Sequence, residues 1–444
     1  MDDSLIPGEL IAEPAGPWRS YKERVSVLAQ RLVEAQRPLR VLNAIKWPAD
    51  VFERFSASSF REMPRVGPQE YERLTLGFDP RAKVDEFRDI ELSVASELGS
   101  GDAIGRILSH SAREYASVVE MLKARGTPRF YELSRQLYGS AKEVFADDVT
   151  RVRDVALDMY ELLTNLDDAV LGPQPERTIP ASEVVHVLNA RLNTMFGDGV
   201  VRVIVDDGII ADAAAGSDYV KIRDGALFSH RDIRVLEVHE GWVHLATSLN
   251  GQQQPVARWL AKGPPRTLAT QEGLAALLEV LTLTSHPSRA RRLNDRVLAV
   301  DKAEDGASFL DVFEWFRTEG YTEEVCFWNT QRIFRGGVLS GGAPFTKDIV
   351  YTKGIVSNYN FLRSAIAAGR PELIRWLFVG KVALEDIPVL AARSHEGVVS
   401  PPRYIPDMFR DLNGLAIWLG ISSFWGRLKN RAVHRHYERL FETG

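Results

Sequence analysis

One short stretch of the chain interrupts an otherwise helical pattern. Through most of the sequence, apolar residues recur at three- and four-residue spacing, as at Val25, Leu28 and Leu32. Between Val201 and Val205 the period changes to two, and the turn signal Asp206-Asp207-Gly208 follows. Because a strand needs partner strands to bury its apolar face, we predict a mostly helical α+β protein with a small antiparallel sheet.

Loop signals divide the chain into four predicted parts. Residues 1–17 are acidic and interrupted by prolines, so we expect a flexible tail. Residues 18–172 form an N-terminal helical region, which ends where Gly172 and Pro173 stop the helical pattern. Residues 173–370 form a core that contains the motifs below, and residues 371–444 form a C-terminal helical region.

The overall composition excludes several classes of protein. The chain has 444 residues, with 55 basic and 60 acidic side chains, so no overall positive field favours nucleic acid as a partner. Cys326 is the only cysteine, which predicts a reducing, cytoplasmic location and excludes a thiolate-rich zinc site. Neither a signal peptide nor an apolar run of the about 20 residues that a membrane span needs is present, so we expect no membrane association.

Two histidines enclose a glutamate in the motif His239-Glu240-Gly241-Trp242-Val243-His244. Neutral imidazoles are common zinc ligands, and a glutamate beside the first one can stay off the metal and take a proton from water that the metal activates. The motif therefore predicts His239 and His244 as zinc ligands and Glu240 as the catalytic base. The alternative is that both histidines are ordinary, partly buried residues with satisfied hydrogen bonds.

The spacing of this motif excludes a regular helix. At about 100° per residue, positions i and i+5 lie about 140° apart, too far round the helix to share one ion. A turn with i→i+5 hydrogen bonds restores the alignment, and Gly241 lowers the steric difficulty of that distortion. We predict a bulged helix between His239 and Leu245, in a helix that begins at a capping box formed by Ser229 and Asp232.

A catalytic zinc site needs a third protein ligand, which is often a carboxylate. The segment from Thr267 to Ala275 has the pattern of a new helix with Thr270 as its cap, and Glu272 is the candidate ligand. Gly273 would let this helix approach a neighbour closely. Glu279 is either a competing ligand or a residue that orients one imidazole. Glu272 could instead be an acid that is favoured only by the helix dipole.

The pentapeptide Gln271-Glu272-Gly273-Leu274-Ala275 resembles the signature of bacterial QEGLA-motif proteins, usually labelled as flavohaemoglobin expression modulators. The chain is also similar to the microtubule-associated tyrosine carboxypeptidases, metallopeptidases that remove the terminal tyrosine of α-tubulin and share the His-Glu-x-x-x-His motif. The similarity runs from Leu76 to Tyr351. It implies a zinc-peptidase-like, gluzincin-type core within residues 173–370. It also implies a zinc site with His239, His244 and Glu272 as ligands and Glu240 as the base. Nothing in the sequence indicates a tubulin-binding surface.

A carboxypeptidase must also bind the terminal carboxylate of its substrate and stabilise an oxyanion. The glycine-rich segment between Arg332 and Tyr351 offers Lys347, Arg335 and Arg332 for the carboxylate, and Tyr351 for the oxyanion. Lys347 and Tyr351 have an alternative interpretation as ordinary helix surface. The arginines at positions 289, 291, 292 and 296 are more typical of a solvated face, although they would also attract an acidic peptide tail. The strand at residues 211–216 is rich in small side chains, so a peptide could pair with it as an extra strand.

Together these patterns predict a zinc-dependent metallocarboxypeptidase whose partners are peptide or protein C-termini. An aromatic C-terminal residue is one candidate substrate group. Aminopeptidase or endopeptidase action uses the same metal chemistry and stays open. The alternative class is a non-catalytic, metal-binding regulatory protein, which would have no need of a free carboxylate at Glu240. The oligomeric state is not predicted.

Overall fold

The structure is a computed structural model that describes residues 17–166, 171–209, 211–425 and 437. Helices make up 63% of the described residues, so the predicted helix-rich α+β class is confirmed. The predicted tail lies outside the described residues, apart from Pro17, at which the first helix begins. Most of residues 426–444 also lies outside them. The domain boundaries at residues 172 and 370 stay a prediction.

The described helices follow one another along the chain, with strands or loops between them. The α-helices are α1 (Pro17–Gln36), α2 (Val41–Ala44), α3 (Val51–Ala57), α4 (Pro68–Glu72), α5 (Pro80–Leu98), α6 (Ala103–Lys123), α7 (Pro128–Tyr138), α8 (Val152–Thr164), α9 (Ala181–Phe196), α10 (His230–Leu236), α11 (Ala246–Gln252), α12 (Thr267–Leu281), α13 (Pro287–Glu304), α14 (Phe309–Thr318), α15 (Glu323–Phe334), α16 (Val350–Ala367), α17 (Ile387–Ala392), α18 (Asp407–Arg410) and α19 (Asn413–Trp425). Short 3₁₀ helices cover Arg258–Ala261, Thr346–Ile349, Pro371–Phe378 and Leu384–Asp386. None of these helices is both long and apolar enough to cross a membrane. The cytoplasmic location stays a prediction.

Local signals account for the start of several N-terminal helices. The Asp79 carboxylate accepts the main-chain N–H of Ala82 at the start of α5, and Asp102 accepts that of Gly105 at the start of α6. Residues Val25, Leu28 and Leu32 of α1 are buried, as their spacing predicts. These helices pack on one another through α1, α5 and α6 and form one end of a continuous apolar core.

Two small sheets lie between α8 and α10. The strands are β1 (Ile179–Pro180), β2 (Arg202–Asp206), β3 (Ala213–Ala215), β4 (Tyr219–Arg223) and β5 (Leu227–Phe228). β1 pairs antiparallel with β5, whereas the other three form a sheet in the order β2–β4–β3.

The prediction of an antiparallel sheet is wrong for one pair of strands. β3 is antiparallel to β4, but β2 is parallel to it. β4 carries Val220 and Ile222, both fully buried, and so takes the central position. After the turn that follows β2, the chain therefore passes to β3 at the opposite edge of the sheet, and β2 and β3 do not form a hairpin.

Two glycines bring α12 and α16 into main-chain contact. A Cβ atom on Gly273 would overlap the main chain of Gly354, and one on Gly354 would overlap the carbonyl of Ala269. The predicted close approach at Gly273 is confirmed. The prediction that Thr270 caps this helix is wrong, because the carbonyls of Pro264 and Pro265 accept the first N–H groups and the helix begins at Thr267.

Candidate metal centre and active site

The predicted bulge is present as a π-helical segment, Glu237–Leu245, between α10 and α11. The predicted capping box also forms, because Ser229 Oγ accepts the N–H of Asp232 and the Asp232 carboxylate accepts that of Ser229. The wider turns bring the His239 and His244 rings to one side of the helix, with their centroids 4.9 Å apart. The spacing of the two histidines is therefore compatible with a shared ion.

Glycine at position 241 also has a packing role. A Cβ atom there would overlap Cδ2 of Leu192, which lies on α9. The missing side chain thus lets the π-helical segment pack closely against α9. Gly241 is buried, so a larger residue at this position could not turn out into solvent.

Glu272 meets the two histidines from the neighbouring helix α12. Its Oε2 lies 3.8 Å from Nε2 of His239 and 3.9 Å from Nε2 of His244. The three candidate ligand atoms all lie within 4.8 Å of one another. Tetrahedral zinc with bonds of about 2.0–2.1 Å separates its ligand atoms by roughly 3.3 Å. Two imidazoles and one carboxylate are a donor set that suits zinc, and the ligand atoms would have to move together by up to about 1.5 Å to bind it.

Burial and neighbouring charges set the protonation of these three groups. Burial lowers the pKa of His244 to about 4, so this imidazole is neutral and can bind a metal. Burial also acts against the charged form of His239, but Glu272 and Glu279 outweigh it and raise the pKa of His239 to about 10. For Glu272, burial favours the neutral acid, but His239 and His244 outweigh it and hold its pKa below the usual range.

Glu279 contacts the first imidazole through its other nitrogen. Nδ1 of His239 donates to Oε1 of Glu279 at 2.6 Å. Arg289 donates to both oxygens of Glu279, also at 2.6 Å. Burial acts to raise the pKa of Glu279, but Arg289 outweighs it and lowers that pKa to about 2. Glu279 is therefore placed to orient His239 and does not compete as a ligand.

Glu240 follows His239 and points to the edge of the sheet. Its Oε2 accepts the main-chain N–H of Ala215 in β3 at 2.8 Å. Oε1 makes no hydrogen bond with the described part of the chain. One oxygen is thus held by the sheet, and the other remains available to a water molecule or a substrate.

Three of the predicted carboxylate-binding and oxyanion residues, Lys347, Arg332 and Tyr351, lie close enough to Glu272 to interact with its charge. Tyr351 is 8% exposed and lies at the start of α16, and Lys347 is partly buried in a 3₁₀ turn, so neither is ordinary helix surface. Arg332 forms a two-point ion pair with Asp348 at 2.8 and 2.9 Å. Arg335, by contrast, makes no ion pair with any described residue.

Arg296 is expected from the sequence on a solvated face, with attraction of an acidic peptide tail as the alternative, and is not among the residues predicted to bind the substrate carboxylate. It donates only a 3.2 Å hydrogen bond to Asn329 and has no ion-pair partner among the described residues. Burial and then the charge of Arg332 lower its pKa to about 9, and the same two causes lower that of Arg335 to about 10. The expectation of a solvated arginine face is therefore wrong for Arg289 and Arg296. Arg289, Arg292 and Arg296 follow one another at intervals of three and four residues. This spacing could have predicted that they share one face of a helix.

Comparison with known proteins connects this geometry to one family. No curated protein matches the chain. A sequence profile described as microtubule-associated tyrosine carboxypeptidase matches residues 53–427. The matched range contains the π-helical segment, Glu272 and the basic residues around Tyr351, and it covers most of the chain. The chain belongs to the microtubule-associated tyrosine carboxypeptidase family.

Proposed function

We propose that this protein is a zinc-dependent carboxypeptidase that removes the C-terminal residue of a peptide or protein. The observation that carries the proposal is the convergence of His239, His244 and Glu272 beside a carboxylate, Glu240, that is not a ligand. The family description supports carboxypeptidase activity. It also makes an aromatic C-terminal residue a candidate substrate group.

Each residue of the site has a defined chemical task in this proposal. Zinc, when bound, supplies a Lewis acid that polarises the scissile carbonyl and makes water easier to deprotonate. Glu240 accepts the proton of the attacking water through Oε1 and passes it to the leaving amine. Tyr351 donates a hydrogen bond to the oxyanion. Burial and then the charge of Glu272 raise the pKa of Tyr351 above its usual value, so the phenol keeps its proton at neutral pH.

Basic groups that form no ion pair with any described residue support action at a C-terminus. Arg296 and Arg335 have lowered pKa values because burial disfavours their charge, and burial also lowers the pKa of Lys347. A substrate carboxylate would supply the missing negative charge, whereas an internal peptide bond would not. We assign Lys347, Arg335 and Arg296 to carboxylate binding. Arg332 is already paired with Asp348, so we assign it to holding the 3₁₀ helix Thr346–Ile349, which carries Lys347, in place.

The edge strand β3 offers a place for the rest of the substrate. Gly216 and Arg223 donate hydrogen bonds across the β3–β4 pair, so the main-chain groups of Ala213 and Ala215 point to the other edge. The N–H of Ala215 holds Glu240 there. A peptide that pairs with Ala213 would therefore run past the catalytic base.

Substitution of Glu240 by Gln tests this function. Zinc content would be measured by elemental mass spectrometry. Cleavage would be measured with a peptide library whose members have free or amidated C-termini. Glu240→Gln should keep its zinc and lose at least about 100-fold in cleavage rate. The matched control is Glu237→Gln, which lies on the same segment but pairs with Arg191.

The outcomes separate the enzyme from its alternative. A carboxypeptidase shortens free peptides by one residue and leaves amidated peptides intact. If the wild-type protein carries zinc but shortens no peptide, or if Glu240→Gln equals the wild type, the enzyme proposal fails. The metal-binding regulatory protein, which the resemblance to the bacterial expression modulators suggests, would then stand.

A further inference from the structure

Lys381 reaches the back of the candidate metal centre from a distant part of the chain. It follows the 3₁₀ helix Pro371–Phe378, and its N–H donates to the carbonyl of Leu260 at 2.8 Å. Gly380 permits this approach, because a Cβ atom there would lie 2.6 Å from the same carbonyl oxygen. The ammonium group is thereby carried under the π-helical segment.

All three protons of this ammonium group have acceptors. Nζ of Lys381 donates to the carbonyl oxygen of His244 at 3.1 Å, to Oγ1 of Thr247 at 2.9 Å and to Oε1 of Gln271 at 2.9 Å. It makes no ion pair within the described ranges. Its position is therefore fixed by three directed hydrogen bonds and not by contact with a single acid.

These acceptors lie on the two elements that carry the candidate metal ligands and on α11, which directly follows the π-helical segment. His244 is itself a ligand, and Gln271 directly precedes Glu272 on α12. Oγ1 of Thr247 also lies 2.8 Å from Oε1 of Gln271, so Lys381, Thr247 and Gln271 are all connected to one another by hydrogen bonds. The carbonyl of His244 lies where the π-helical segment ends, and the Ser248 hydroxyl reaches it as well, at 2.7 Å. Side chains thus support the main chain at the end of the distorted helix.

We propose that Lys381, with Thr247 and Gln271, is a positioning residue that sets the distance between the His244 imidazole and the Glu272 carboxylate. The inference rests on the zinc site of the proposed function. It goes beyond that function because none of the three side chains touches the metal or the reacting atoms. Without these hydrogen bonds, the end of the π-helical segment at His244 should become more mobile, and α12 should shift relative to it. The ligand atoms would then converge less well on the ion.

Lys381→Met removes the donors but keeps most of the side-chain length. Zinc affinity would be measured by competition with a chelator, and ligand geometry by the visible absorption of the cobalt(II)-substituted protein. We expect about 10- to 100-fold weaker zinc binding and altered cobalt bands. Lys353→Met is the control, because Lys353 is also partly buried but pairs with Glu143. It should match the wild type in both measurements.

A milder pair of variants guards against a general loss of folding. Thr247→Val removes the hydroxyl with almost no change of shape, whereas Thr247→Ser keeps it. Thr247→Val should weaken zinc binding, and Thr247→Ser should bind like the wild type. Wild-type affinity and an unchanged cobalt spectrum in both Lys381→Met and Thr247→Val would overturn the proposal.

Failure of this inference and failure of the proposed function give different results. A wild-type protein that binds no zinc overturns both. A wild-type protein that binds zinc but cleaves no peptide overturns the carboxypeptidase proposal alone. The role of Lys381 is then decided by the affinities and the cobalt spectra, which do not depend on activity.

Discussion

Glu279 accepts a 2.6 Å hydrogen bond from Nδ1 of His239 while Arg289 donates to both of its oxygens. Because this carboxylate is ionised, it keeps a proton on Nδ1 of His239, and Nε2, which faces His244 and Glu272, is the nitrogen that would give up its proton to a metal. The chain Arg289–Glu279–His239 thus sets both the orientation and the tautomer of one metal ligand.

Glu279→Gln should therefore weaken zinc binding by about 10- to 100-fold. The amide has nearly the same shape, but it lacks the charge that strengthens the hydrogen bond and balances Arg289. Chelator competition at neutral pH would measure the change. Glu237→Gln on the π-helical segment serves again as the control. Equal affinities in all three proteins would contradict the role of Glu279.

Gly273→Ala should destabilise the protein by about 1–3 kcal/mol, because the new methyl group would overlap the main chain of Gly354. Separation of α12 from α16 should also displace Glu272 and reduce zinc uptake. Gly414→Ala is the control, since it lies in α19 with no atom near its Cβ position. That variant should be neutral or more stable by up to about 1 kcal/mol. Urea unfolding would measure the free energy of unfolding of both variants. Equal changes in Gly273→Ala and Gly414→Ala would contradict the close contact between α12 and α16.

Asp295→Asn tests a buried carboxyl group outside the metal centre. Asp295 is fully buried, and its Oδ2 accepts a 2.7 Å hydrogen bond from Tyr321. Burial raises its pKa from 3.8 to about 6, although Tyr321 and Arg291 lower it and Glu319 adds to the rise. The folded state therefore favours the protonated acid. The contribution of the Asp295 carboxyl to the free energy of unfolding is fully present below pH 3.8. It is lost as the pH rises through 6, which lowers the free energy of unfolding by roughly 3 kcal/mol.

The Asn variant cannot ionise, so its stability relative to the wild type should be higher at pH 8 than at pH 4.5. Urea unfolding at the two pH values gives the comparison. Asp305→Asn is the control, because Lys142 lowers the pKa of that exposed carboxyl below 3.8, so its stability relative to the wild type should barely change between pH 4.5 and pH 8. A stability difference between Asp295→Asn and wild type that does not change with pH would rule out the raised pKa.

Features set by local spacing could be predicted from the sequence. The interval between His239 and His244 excludes a regular helix, so the π-helical segment follows from the requirement for a shared ion. The capping box at Ser229 is equally local. The parallel pairing of β2 with β4 could not be predicted, because it depends on which strand buries most surface. No sequence pattern indicated the role of Lys381, since its acceptors come from three distant elements, the π-helical segment, α11 and α12.

The carboxylate-binding assignment leads to the most specific prediction for the substrate. Arg335→Met, Arg296→Met and Lys347→Met should each raise KM for peptides with a free C-terminus by about 10-fold or more, because each removes a charged hydrogen bond of about 1.5–3 kcal/mol. Arg291→Met is the control, since Arg291 pairs with Glu319 away from the metal ligands. Steady-state kinetics with free and amidated forms of one peptide would separate the effects. Replacement of a carboxylate-binding residue lowers kcat/KM for the free acid and so narrows its preference over the amide, which the wild type cleaves slowly or not at all. A variant that lowers kcat/KM for both forms equally, or for neither, does not lose a carboxylate contact, and its residue would be removed from the assignment.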